Sequence, residues 1–150
     1  MGAVVRRPVA MVAALVLFAE AVGVVLINGI LATVVKNQDM SLAGTDPTVM
    51  SRGTWAMGGV FGCYLLLCGV LLLVAGIRDR APGRFARVVL ILCAVAHGVL
   101  GALTVGLVGW AAFACMMVVL GLIVLTLVAY GTGAAEEPAG AAGRDAPAAA

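Results

Sequence analysis

Charge is what this chain has least of: 11% of its 150 residues are Asp, Glu, Lys or Arg. A soluble domain carries about a quarter of its residues as charges to cover its surface, so an ordinary water-soluble fold is excluded. Lysine occurs once, at Lys36, against eight arginines. In an Ala/Gly/Val-rich chain that usage points to a high-GC bacterial genome. The net charge of +2 is small, and no basic cluster is interleaved with aromatics, which excludes a nucleic-acid partner. Histidine also occurs once, so haem held between two histidines is excluded. A nucleophile elbow, a metal-ligand cluster and a phosphate loop are all missing. No cofactor and no metal are therefore expected, and an enzyme ranks last among the functions considered.

The four cysteines, Cys63, Cys68, Cys93 and Cys115, lie in apolar runs and have no zinc spacing. Cys63 and Cys68 stand about 140° apart round a helix, which argues against a disulfide framework and for small apolar residues.

What the chain has in quantity is apolar length. Hydrophobic residues make up 64% of it, and its mean hydropathy is +1.19. Residues 8–35 carry no charge except Glu20, and residues 53–77 carry none. Between Arg87 and Glu136 lie 48 residues without a formal charge. As one helix they would extend about 72 Å, over twice a ~30 Å bilayer core. They must fold back, and Gly106, Gly109 and Trp110 supply the turn. The expected fold is all-α, a four-helix transmembrane bundle over residues 9–131. Its helices are expected near 9–34, 54–77, 87–107 and 111–131. A short N-terminal segment, 1–8, precedes it, and an Ala/Gly/Pro-rich tail, 132–150, reads as disordered. The first apolar run exceeds the 7–15 residues of a signal-peptide core and lacks a cleavage site, so it counts as a helix.

Orientation follows from the basic residues. Arg6, Arg7, Arg78, Arg80, Arg84, Arg87 and Arg144 fall on one side, and Lys36 and Arg52 on the other. Positive charge stays inside, so both termini are expected in the cytoplasm of a bacterium, with the chain multi-pass in its cytoplasmic membrane. Trp55 and Trp110 then fall at the outer interface and Tyr130 near the inner one.

Small residues let helices approach closely in lipid. Helix 2 offers Gly58 and Gly62, then Gly69 and Gly76. Helix 3 offers a stripe of Ala94, Gly98, Ala102 and Gly106, and helix 4 has Ala114 and Gly121. These positions read as bundle contacts or as a homo-oligomer interface.

A few polar residues interrupt the apolar runs. Glu20 lies about 16 Å up helix 1 and His97 about 15 Å up helix 3, counted from their inner ends. They share a mid-membrane depth, with Tyr64 of helix 2 within about one turn of it. A charge at that depth costs about 2.5–3.5 kcal/mol on insertion scales. Either Glu20 and His97 form a satisfied pair, or Glu20 stays protonated, and the group fixes helix register; or Glu20 titrates and carries a proton or binds a cation. Asn28, about 80° round helix 1 from Glu20, either extends a polar stripe or donates an interhelical hydrogen bond. The loop "KNQDMSLAGTDPTVMSR" is the longest soluble connection, with a turn start at Asp46-Pro47.

The stretch "AEAVG" around Glu20 resembles the first helix of the small multidrug resistance exporters, which are also four-helix membrane proteins. That likeness implies a membrane-embedded glutamate, here Glu20, exchanging protons for cationic drugs. The chain departs from that family in its long first loop, in a helix 3 with no central tryptophan, and in its lopsided loop charge. As a whole, through "GTWAMGGVFG", "GIRDRAPGR" and the Ala-rich tail, it resembles short four-helix integral membrane proteins of actinobacteria. This second likeness implies a cytoplasmic-membrane location and no particular activity. The leading reading is a non-enzymatic accessory or interaction subunit, with the lipid bilayer around it and a membrane-protein partner or further copies of itself beside it. The alternative is a small oligomeric proton-coupled transporter or channel using Glu20.

Overall fold

The computed structural model describes residues 3–41 and 43–132. They form four helices: α1 (Ala3–Asn37), α2 (Pro47–Arg78), α3 (Arg84–Leu107) and α4 (Trp110–Thr132). Each is long and apolar enough to cross a membrane. The helical choice has a simple cause. In hydrocarbon no water is present to bond backbone N–H and C=O groups, and a helix satisfies them within one segment. The expected tail lies, from residue 133 on, outside the described residues, as do residues 1 and 2.

α1 and α2 overrun their expected ends. They contain 35 and 32 residues, about 52 and 48 Å against a core of about 30 Å. α2 begins at Pro47 rather than near residue 54. Asp46 Oδ1 accepts the Thr48 backbone N–H at 2.7 Å, and proline at the first helical position has no N–H to leave unpaired. The Asp46-Pro47 pair therefore starts a helix rather than a free turn. The Thr48 N–H also holds the Asp46 carboxyl below the usual carboxylate range. At the other end, α1 starts at Ala3 and runs through Pro8. A proline so near a helix start costs at most one backbone bond.

Two compact units divide the helices, and the division cuts α1 and α2. Ala14–Val70 is one unit, an antiparallel hairpin of α1 and α2 held by glycines. A Cβ at Gly62 would stand 2.5 Å from Val25 Cγ2, and one at Gly69 2.6 Å from the Phe18 ring. Gly58 packs against Asn28, and Gly29 takes the Trp55 indole. Buried Leu17, Leu65 and Cys68 belong to this unit. Ser51 Oγ donates to the Ala32 carbonyl at 2.8 Å, tying the two helices near the loop.

The other unit joins the chain up to Ala13 with the chain from Leu71 onward. Within it, α3 and α4 form a tight hairpin whose turn is Val108 and Gly109. Both their N–H groups donate to the Thr104 carbonyl, at 2.9 and 2.8 Å. Gly109 has φ +119°, a backbone that only glycine adopts without strain. Gly106, expected in this turn, lies in the last turn of α3 instead. Leu72, Leu90, Cys93, Ile123 and Thr126 form the buried interior. Gly98 meets Leu120 on α4, and Gly101 meets Met117, 2.6 Å from where a Cβ would stand. Ala102, expected in a stripe of bundle contacts or a homo-oligomer interface, is exposed and makes no bundle contact like that of Gly101. Helical geometry explains the shift. Eight residues from Ala94 turn about 80° off its face, whereas seven turn about 20° the other way.

Candidate functional site

Glu20 is half-buried at the midpoint of α1, seventeen residues from either end. Tyr64 of α2 and His97 of α3 each lie within two residues of their own helix's middle. Glu20, Tyr64 and Asn28 belong to the Ala14–Val70 unit and His97 to the other. His97 is buried, and its Nδ1 lies 2.8 Å from the Cys93 carbonyl oxygen. A carbonyl only accepts, so Nδ1 carries the hydrogen, and in the neutral ring Nε2 carries the lone pair. Cys93 Sγ is 3.7 Å from the same nitrogen. Tyr64 lies beside Phe61, ring centres 6.2 Å apart. Asn28 donates through Nδ2 to Val24 O at 2.9 Å, on its own helix. Thr33, Thr54, Thr104 and Thr126 also turn their hydroxyls back to carbonyls on their own helices. Such back-bonding is how a short polar side chain sits in lipid without a partner helix.

Sequence reasoning missed a cluster in the second unit, where the ends of α1, α2 and α4 meet. Arg6 donates two hydrogen bonds to Asp79, Nε to Oδ1 at 2.8 Å and Nη2 to Oδ2 at 3.1 Å. The Arg6 guanidinium also lies 5.4 Å from the centre of the Tyr130 ring. Tyr130 OH donates to the Ala75 carbonyl at 3.1 Å and lies 3.5 Å from Asp79 Oδ1. Arg7 donates to the Gly76 and Ile77 carbonyls, each at 3.3 Å, where α2 has run out of its own N–H donors. Arg6 beside it holds the Asp79 carboxyl below the usual carboxylate range. Asp79 is left-handed, φ +49°, which Asp and Asn tolerate better than most residues. The signal in the sequence was a lone acid in the arginine-rich "GIRDRAPGR".

Two features of α4 complete the surface. Ala111, Ala114, Cys115, Val118 and Gly121 are all exposed and lie within about 120° of arc. Ala114 and Gly121, expected as bundle contacts or as a homo-oligomer interface, thus face outward. Lower down, α3 and α4 border an apolar groove of about 650 Å³. Cys63 is exposed as well, whereas Cys68 and Cys93 are buried. No group of three or more potential metal-ligating residues occurs among the described residues.

Four apolar helices whose polar side chains largely bond to their own backbone fit the class of multi-pass helical membrane proteins. Compared with protein-family models, with curated proteins and with solved structures, the chain has no match.

Proposed function

We propose that this protein is a non-enzymatic subunit of the bacterial cytoplasmic membrane, both termini inside, which works by binding another membrane protein. The observation that carries this reading is the outer face of α4. Only 17% of the most apolar stretch of α4 is buried, against 39% in α2. Its exposed upper face sets Ala111, Ala114, Cys115 and Gly121 around Val118, and small residues are the type that lets a second helix approach closely in lipid.

The test is recovery of partners in mild detergent. The wild-type chain is expected to bring down one membrane protein at fixed stoichiometry, and Gly121→Leu to lose it. A Cβ at Gly121 meets nothing within 4 Å and the position is exposed, so the new side chain starts into open space, and an unchanged melting temperature checks that the fold is intact. Recovery of this chain by itself, or a partner retained by Gly121→Leu, rejects the reading.

A further inference from the structure

The groove between α3 and α4 runs along the helices, from Arg87 to Gly98 on one side and from Gly131 back to Leu120 on the other. Eleven residues rise about 16 Å, which matches half of a ~30 Å hydrocarbon core. Ile91, Val95 and Val124 line it and are 45%, 57% and 41% exposed, so it opens sideways rather than sealing a cavity. Its one charged residue is Arg87, at the end where α3 begins. The Arg87 Nη2 lies 3.7 Å from where a Gly131 Cβ would stand. Among the described residues the Arg87 guanidinium has no ion pair.

The surroundings share that charge. In this unit's described residues Asp79 is the one acid against six arginines, and it is held by Arg6. Five guanidiniums remain without a carboxylate. A slot one leaflet long, apolar along its length and cationic at its interfacial end, has the chemistry of a lipid with a negative headgroup. A second copy packed here about a two-fold axis along the membrane normal would set its own arginines against these, like charge against like.

We propose that the groove binds one anionic phospholipid, an acyl chain lying along α3 and α4 and the phosphate on Arg87. The proposal does not depend on the partner-binding face of α4. The full-length protein is placed in mixed micelles with equal amounts of phosphatidylglycerol and phosphatidylcholine of the same acyl chains. Lipid retained per chain is then counted by native mass spectrometry. Wild type retains phosphatidylglycerol in preference, and Arg87→Gln lowers that preference about fivefold, the effect of one arginine near an anionic surface. Arg84→Gln, outside the groove, leaves it within about twofold. Val124→Trp fills the slot and reduces retention of both lipids. Three results overturn the proposal: Arg87→Gln behaving as wild type, Arg84→Gln losing as much as Arg87→Gln, or Val124→Trp retaining lipid unchanged. A dimer that Val124→Trp alone dissociates, with no lipid retained by wild type, makes a second copy the occupant instead.

Discussion

A methyl group added at Gly62 would meet Val25 Cγ2 at 2.5 Å, whereas one added at Gly59 meets nothing within 4 Å. The two positions lie three residues apart on one helix, and their substitutions are expected to have opposite signs. Gly62→Ala overpacks the α1–α2 contact and should destabilise the unit by about 1–3 kcal/mol. Gly59→Ala removes backbone freedom at no steric cost and should stabilise it by about 0.5–1 kcal/mol. Thermal unfolding in detergent reads both, and equal effects would remove the contact from the explanation. Asp79 makes a second residue-scale case. Its carboxyl is held below the ordinary value by Arg6, so it titrates lower folded than unfolded. The stability this supplies is complete above the unfolded value of about 3.9 and is lost as pH falls below it. Asp79→Asn keeps the left-handed backbone and removes the charge. Its melting temperature is expected below wild type at pH 7, with the gap narrowing by pH 3; a gap independent of pH would show that charge is not what matters there.

Among the elements, helix number and apolar extent could be read directly, because lipid leaves backbone polar groups no alternative to helix. Helix ends could not. Charges at Arg6, Arg7 and Arg52 look like the limits of a span, yet α1 and α2 continue past them as ordinary helix. Capping at Asp46 sets where α2 begins, and hydropathy is blind to capping. The glycines of α2 read equally as bundle contacts or a homo-oligomer interface, and only the structure sets Gly58 against Asn28 and Gly62 against Val25. On α3 a spacing of four drifts off the face, which is why Gly101 rather than Ala102 meets α4. Nor does spacing tell an inward stripe from an outward one. Ala114 and Gly121 have the pattern of an internal contact and stand on the outside. The polar cluster of Arg6, Asp79 and Tyr130 joins residues far apart in the chain, and no local pattern links them. Counting places Glu20 eleven residues into helix 1, whereas α1 begins at Ala3 and puts it seventeen in, and the His97 bond to Cys93 depends on a rotamer that counting does not contain.

At the scale of the whole molecule, four helices long and apolar enough to cross a membrane fit the proposed topology, in which both termini share one side. The proposed topology puts that side in the cytoplasm, because the arginines gather there. A periplasm-dependent phosphatase fused after residue 132 is expected to be inactive, and one inserted at Gly44 active. The reverse pattern would turn the protein over in its membrane. Replacing Arg78, Arg80, Arg84 and Arg87 together by Ala should weaken the bias and yield a mixed population in the same assay.

The Arg6–Asp79 clasp also has a consequence for synthesis. Its partners are separated by 73 positions, and the Tyr130 hydroxyl reaches Ala75 across another 55. A ribosome adding about 5–20 residues per second needs roughly 4–15 seconds to go from the first partner to the second. The start of α1 thus waits for a partner made 73 residues later. Until Asp79 emerges Arg6 lacks its carboxylate, and Tyr130 joins the clasp only after a further 51 residues.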